Sequence, residues 1–304
     1  MRTYNRLYGS FVSLSVILII FMALTLFFGY QSFHVGEEME VKPNYSKHVA
    51  FIALDRGNEF WQLVEQNARA EAEQAGIYLD GVGPMIYDME EGLLALERMI
   101  ATGVDGIIMQ GLGGEKADVL VNQAIERGIP VVFVHSDQED SRRNRFVGNN
   151  QYEEGMRIGE LLKAKGTGKE EIGVVMSSIE LTDQQERLAG LEKIFEKEEY
   201  INIVAMVETT HTEFSATQKT YEMLRENPTI TALISLSELN GSGMLQGANE
   251  EVSESALTMV LFDYQEREAL DSFVYTQYTS PEELGVSSVR AWVDIIEETE
   301  RVKK

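Results

Sequence analysis

The residue types that most often carry out chemistry are present, but none has the spacing of a known reactive centre. His34, His48 and His211 are scattered, and no two of them have the spacing of metal ligands. The glycines at 111, 113 and 114 lack the Gly-Lys-Ser/Thr of a phosphate loop, and Gly241-Ser242-Gly243 is not a nucleophile elbow. The sequence therefore predicts no catalytic residue, no metal site and no cofactor, and the chain is predicted not to be an enzyme.

The composition excludes further kinds of site and partner. The chain has 304 residues and no cysteine, which excludes disulfides, thiolate metal sites and an anchor attached through an acylated cysteine. It has 50 Asp and Glu residues against 26 Lys and Arg residues, for a formal net charge of −24. Nucleic acid is not an expected partner, because phosphate binding needs clustered cations.

The N-terminal segment has the length and polarity of a membrane anchor. No charged residue occurs in residues 7–33, and ~20 apolar residues suffice to cross a bilayer. Arg2 and Arg6 precede this run, which places residues 1–6 in the cytoplasm and the long C-terminal part outside it. The alternative is a cleaved signal peptide, but the run is long for one and lacks a small-residue cleavage site. The sequence therefore predicts a single-pass protein of the cell membrane.

After a polar tether at residues 34–46, apolar runs alternate with helical patterns up to the C-terminus. Strand character occupies 49–54, a weaker run within 83–89, and 104–109, 129–134, 172–176, 203–207, 232–236 and 257–262. Helical spacing occupies 59–75, 91–102, 116–127, 183–196, 215–227 and 285–299. This α/β alternation occurs twice and predicts two doubly wound parallel-sheet lobes, preceded by one transmembrane helix.

The two predicted lobes define where a ligand would bind. The N-terminal lobe is predicted to contain residues 47–147 plus 279–304, and the C-terminal lobe residues 148–278. Ligands of parallel sheets bind outside the carboxyl ends of the strands. A cleft between two sets of strand ends is therefore the expected ligand site.

Six short segments follow, in order and spacing, the motifs of one known family. They are Asp55–Trp61, Gly103–Ile108 (Gly-Val-Asp-Gly-Ile-Ile), Gly128–Val132 (Gly-Ile-Pro-Val-Val), Arg187–Gly190 (Arg-x-x-Gly), Asn227-Pro228 and Phe262-Asp263. Together they resemble the type I periplasmic binding proteins, and among these the ribose and other monosaccharide-binding group. The resemblance covers about residues 47–296. It implies a non-enzymatic receptor that closes its lobes around a small polar ligand, a sugar. The uncharged run at residues 7–33 makes this chain a membrane-anchored member.

The resemblance also implies which residues contact the ligand. By match, the family's ligand positions hold Asn58, Phe60, Trp61, Asn150, Arg187, Phe214 and Asp263. Three further ligand positions depart from the family, with His135 in place of Asp, Ser237 in place of Asn and Thr279 in place of Gln. These changes leave the identity of the sugar open. The family's third crossover strand is expected to be missing or very short, because the chain stops at Lys304.

Several of these residues have a structural alternative that the sequence leaves open. The alternatives are core packing for Phe60, Trp61 or Phe214, a surface ion pair for Arg187, a capping role for Asp263 and a hinge contact for His135. Asn149 is the expected cap of the helix that follows it, which favours Asn150 as the ligand contact.

Two functions fit the predicted architecture. The first is a receptor that passes its closed state to a membrane partner such as a sensor histidine kinase. The second is the substrate-binding component of an ABC-type sugar importer, whose partner is a permease. A transcription regulator with the same core fold is not expected, because an apolar span stands where a DNA-binding domain would be and the chain is acidic.

Overall fold

The computed structural model describes residues 15–16, 18–29, 45–138, 141–165, 169–179, 181–251, 257–263, 274–277 and 279–302. The chain divides into two compact units, Met1–Asn44 and Tyr45–Lys304. In the first unit, residues 18–29 are helical. None of the helices described is both long and apolar enough to cross a membrane. Three sets of predicted residues lie outside the described residues. They are the cytoplasmic tail at 1–6, the anchor positions 7–14, 17 and 30–33, and the tether positions 34–44.

The first half of the second unit is built on a sheet of five parallel strands. The strands are β1 (Lys47–Ile52), β2 (Ile77–Val82), β3 (Gly106–Gln110), β4 (Val131–Val134) and β5 (Arg145–Val147). The helices between them are α1 (Glu59–Gln74), α2 (Met89–Thr102) and α3 (Glu115–Glu126). The strands lie in the order β2-β1-β3-β4-β5, and every pair is parallel.

The second half repeats this arrangement. Its helices are α4 (Gln151–Lys165), α5 (Thr182–Phe195), α6 (Glu213–Glu226) and α7 (Glu238–Glu251), and its strands are β6 (Glu170–Met176), β7 (Ile201–Glu208), β8 (Ala232–Ser235), β9 (Thr258–Phe262) and β10 (Val274–Gln277). The order β7-β6-β8-β9-β10 is that of the first sheet, and the strands are again parallel. The two doubly wound parallel sheets predicted from the α/β alternation are therefore present.

Helices cover both faces of each sheet, which explains why the strands are continuous apolar runs. In the first half, one core includes α1 and the last helix, α8 (Pro281–Val302), through residues such as Leu284 and Trp292. The other face packs on α2 and α3. In the second half, α4 and α5 cover one face, and α6 and α7 cover the other. The C-terminal helix thus belongs to the core of the first half.

The second strand lies earlier in the chain than predicted. We predicted a strand within residues 83–89, but β2 is Ile77–Val82 and the residues after it form a loop. Gly76 ends the preceding turn with a left-handed φ of 69°, and the sheet then buries Ile77 and Leu79. The prediction was wrong because Asp80 and Gly81 interrupt the apolar alternation that begins at Ile77 and Leu79. The correction matters, because Tyr87 in the loop after β2 lines a cavity at the strand ends.

Candidate functional site

A cavity of about 90 Å³ lies where the carboxyl ends of the two sheets meet. Residues that directly follow strands of both halves line it, including His135 after β4 and Asp263 after β9. Of the ten predicted ligand residues, six line this cavity: Asn58, Phe60, Trp61, His135, Ser237 and Asp263. The structure thus brings together side chains that are up to about two hundred positions apart in the sequence.

Two aromatic rings form one wall of the cavity. Asn58 caps α1, since its Oδ1 accepts from the backbone N–H of Phe60 at 2.8 Å and of Trp61 at 3.4 Å. The two rings are nearly perpendicular, with centroids 5.4 Å apart, and the Phe60 ring lies 5.1 Å from that of His135. Both rings are also part of the core of the first half. Both residues therefore pack in the core and also line the cavity, two roles that the sequence left as alternatives.

The floor of the cavity is formed by His135 and Asp263, which make a buried charge cluster with Arg187 behind them. His135 Nε2 lies 3.2 Å from Asp263 Oδ2, and Arg187 Nη2 lies 2.6 Å from the same oxygen. All three residues are 5% exposed or less. His135 belongs to the first half and the other two to the second. The cluster therefore joins the two halves through a single carboxylate.

The Asp263 carboxyl stays ionised despite its burial. Burial by itself would raise its pKa, but Arg187, His135 and the Thr279 hydroxyl outweigh burial and hold the pKa of Asp263 well below its usual range. Because the folded-state pKa is below the unfolded value of ~3.9, this group adds stability at higher pH. That stability is lost as the pH falls through the unfolded value towards the folded one.

Arg187 holds Asp263 from behind and is not among the residues that line the cavity. Its Nε donates to Gln151 Oε1 at 2.8 Å, and its Nη1 donates to the Leu236 carbonyl at 2.7 Å. Gln151 Nε2 in turn donates to the His135 carbonyl at 3.0 Å. Arg187 lies in the second turn of α5. Its contacts position the carboxylate, and the alternative of a surface ion pair is wrong.

The residues that directly follow β4 and β9 both have a backbone conformation with positive φ. His135 and Asp263 have φ values of 68° and 57°, in the left-handed region that non-glycine residues seldom adopt. Such a conformation costs of order 1–3 kcal/mol and persists where the surroundings hold it. Each turn here presents a buried polar side chain to the opposite half of the molecule.

Asp183 is a cavity residue that the sequence analysis missed. It is 5% exposed, and its Oδ1 has no hydrogen-bond partner among the described residues; the same is true of His135 Nδ1. Buried polar atoms seldom lack a partner, so both atoms mark positions where a ligand hydroxyl would bond. The spacing Asp183-x-x-x-Arg187 puts both residues on one face of a helix, and this pattern was the available signal.

The four other predicted residues lie outside the cavity lining. Asn150 is exposed and caps α4, since its Oδ1 accepts from Glu153 N at 3.0 Å. Asn149, which we predicted to be the cap, instead contacts Thr279. Phe214 is 78% exposed on α6, so it neither packs in the core nor lines the cavity. Thr279 is buried beside Asp263. Ser237, which does line the cavity, has its Oγ 3.3 Å from Ser177 Oγ.

A comparison with known protein families matches residues 49–299 to the periplasmic binding protein domain. The chain belongs to this family. The match spans both sheets and the C-terminal helix α8, and it confirms the predicted type I fold with parallel sheets. It implies an extracytoplasmic location for these residues. The members are solute-binding proteins, so the prediction that the chain is not an enzyme is confirmed.

Relatives of this periplasmic binding protein include sugar-binding proteins. A D-ribose/D-allose-binding protein of Pseudomonas aeruginosa is 21% identical over 225 residues, which are 71% of this chain and 70% of that protein. GanP, a glucose-galactose binding protein from Geobacillus stearothermophilus, is 28% identical with a TM-score of 0.76, covering 83% of this chain and 91% of its own. A chain of the XylFII-LytSN complex is 26% identical with a TM-score of 0.76, and the match covers 83% of this chain and 94% of that chain.

Replacing Asn58 with alanine is expected to destabilise this periplasmic binding protein by about 1 kcal/mol, because the first turn of α1 loses its cap. Urea unfolding followed by circular dichroism measures the change. Asn58→Ser keeps an oxygen acceptor and is the matched control, with a smaller expected loss. Equal losses for both variants would show that the capping oxygen does not stabilise the turn.

Acidification is expected to destabilise the folded protein through His211. Burial lowers the pKa of His211, and the nearby Glu208 opposes this only in part. The unfolded chain, with a His pKa of ~6.5, therefore binds more protons than the folded one below that pH, and stability falls as the pH drops. The thermal midpoint of the wild type should fall more between about pH 7.5 and about pH 5.5 than that of His211→Gln. Equal falls would contradict this assignment.

Proposed function

We propose that this chain is a membrane-anchored extracytoplasmic receptor that encloses a monosaccharide between its two halves. The observation that carries the proposal is the cavity at the strand ends, which is lined both by the rings of Phe60 and Trp61 and by the buried residues Asp183 and Asp263. In this proposal the N-terminal lobe is 47–147 plus 279–304, and the C-terminal lobe is 148–278.

These side chains suit the chemistry of a sugar ring. A sugar has apolar C–H faces and a rim of hydroxyl groups. Flat aromatic rings cover such faces, and aromatic contacts add ~0.5–1.5 kcal/mol beyond burial. Hydrogen bonds from hydroxyls to an ionised carboxylate contribute ~1.5–3 kcal/mol each. The glucose-galactose and D-ribose/D-allose specificities of the two sugar-binding relatives support the same class of ligand.

The anchor and the partner are part of the proposal. Residues 7–33 are an uncharged, mainly apolar run that would hold the protein in the cell membrane. A tethered receptor is placed to contact a membrane protein, and we propose a sensor histidine kinase that recognises the closed form. The XylFII-LytSN complex, in which a structural relative is joined to a second protein, supports a protein partner. The alternative is the substrate-binding component of an ABC-type sugar importer, with a permease as the partner.

A thermal-shift screen of the full-length chain in detergent tests the ligand. The sugars are D-glucose, D-galactose, D-ribose and D-allose. A ligand at 100 times its Kd adds ~2.7 kcal/mol of stability, which gives a clear rise in the melting temperature. Trp61→Ala should abolish the rise, while Tyr78→Ala, an exposed residue outside the cavity, should keep it. No rise with any of the sugars would count against sugar binding.

Cross-linking in membranes of the native host distinguishes the two partners. The sugar that raises the melting temperature is added or withheld, and cross-linked proteins are identified by mass spectrometry. Sugar-dependent cross-links to a sensor histidine kinase support the receptor. Cross-links to a permease in its place support the importer.

A further inference from the structure

One ring contact joins the two halves at the cavity. Tyr87, in the loop after β2, stacks on His211, in the loop after β7, with ring centroids 3.7 Å apart and ring planes 12° apart. Among the ring pairs of the described residues, no other pair combines residues from both halves. Both rings also line the cavity. Near-parallel stacking of two rings excludes water and solutes from the space between them.

The stack lies on the solvent side of the cavity. Tyr87 and His211 are partly exposed, whereas His135 and Asp263 on the floor are 5% exposed. Ile86, next to Tyr87, is 76% exposed, so the chain reaches the surface there. The two rings therefore lie nearer to bulk water than the buried carboxylates do.

Each ring is held by its own half of the molecule. Around Tyr87, Gly57 N donates to the Met85 carbonyl at 3.0 Å and Asp88 N donates to the Leu54 carbonyl at 3.2 Å. Around His211, the hydroxyl of Thr209 donates to Asn240 Oδ1 at 2.9 Å. His211 itself has a left-handed φ of 55°, a conformation that persists where the surroundings hold it. The stack thus depends on how the two halves are placed and separates when they move apart.

From this geometry we propose that Tyr87 and His211 form a gate over the cavity, which limits the ligand to a single sugar ring and slows its release. The cavity of about 90 Å³ is smaller than the ~300 Å³ at which pockets for drug-sized ligands begin. A second sugar unit on the side of the cavity where the two rings lie would occupy the position of the stack. The gate would therefore select against longer ligands on that side of the cavity. The ligand class rests on the proposed function, but the closure of the cavity by the two rings does not.

Quenching of Trp61 fluorescence by acrylamide tests the gate without any ligand. The chain has two Trp residues; Trp61 lines the cavity, and Trp292 is 2% exposed in the core and adds a constant background. In the full-length chain, Tyr87→Ala and His211→Ala should each raise the quenching constant several-fold, and the double variant should add little more. Tyr87→Phe keeps the ring and should match the wild type, as should the exposed control Tyr78→Ala. Wild-type quenching in both alanine variants, each shown to be folded by circular dichroism, would overturn the gate.

Binding of D-galactose and of lactose, measured by calorimetry, tests selection by length. We expect the wild type to bind the single ring and not the disaccharide, and Tyr87→Ala to bind both, with faster release of D-galactose. Lactose binding by the wild type would overturn the selection by length. If neither protein binds either sugar, these two sugars are excluded as ligands, whereas the quenching result still decides whether the rings close the cavity.

Discussion

Replacing Arg187 with methionine is expected to lower the free energy of unfolding by about 3–5 kcal/mol, because a buried ion pair loses one partner. Arg187 is 1% exposed, and its Nη2 lies 2.6 Å from Asp263 Oδ2. Without the guanidinium, the Asp263 carboxylate would keep only His135 and Thr279 to offset its burial. The Leu236 carbonyl and Gln151 would lose their donor as well. Urea unfolding followed by circular dichroism measures the loss.

An exposed arginine provides the control for Arg187. Arg301 makes an ion pair with Glu297 at 3.0 Å, one helical turn away, but both side chains are mostly exposed to solvent. Arg301→Met should change the stability little, since exposed ion pairs contribute little. A loss for Arg187→Met no larger than that of Arg301→Met would contradict the role given to the buried charge cluster.

Replacing Asp183 with alanine is expected to weaken ligand binding by about 10-fold to 100-fold, the equivalent of one hydrogen bond to a charged group. Its Oδ1 is buried at the cavity without a partner in the described part of the chain, so a ligand hydroxyl would be its natural donor. Calorimetric titration of the wild type and the variant gives the ratio of Kd values.

The control for Asp183 lies on the same helix. Glu192 is exposed on α5 and outside the cavity, so Glu192→Ala should bind the sugar as the wild type does. An unchanged Kd for Asp183→Ala, with the chain folded, would mean that the ligand does not reach this carboxylate.

The alternation of apolar runs and helical patterns was enough to predict both sheets. Strands buried on both faces, such as β3 with five buried residues, read as unbroken apolar runs and are easily recognised. Short edge strands lack this signal. The three residues of β5 are only partly buried, and β10 is a four-residue edge strand; neither was predicted. The misplaced β2 has the same cause, because only Ile77 and Leu79 are buried in it.

The candidate site was only partly predictable for a different reason. Residues directly after strands, such as His135, Ser237 and Asp263, could be located once the strands were recognised. The contacts between the halves could not be located from the sequence, because pairs such as His135–Asp263 depend on how two distant turns face each other. Tyr87 and His211 gave no signal at all, since each stands in a loop whose path is set by tertiary hydrogen bonds.

The central claim, that the cavity at the strand ends binds a single sugar, is tested most directly by calorimetric titration of the full-length chain in detergent. D-glucose, D-galactose, D-ribose and D-allose are titrated into the wild type and into Trp61→Ala. The account predicts saturable one-to-one binding of at least one of these sugars to the wild type and a large loss of affinity in the variant. Absence of binding by the folded wild type to all of them, or equal binding by the variant, would contradict it.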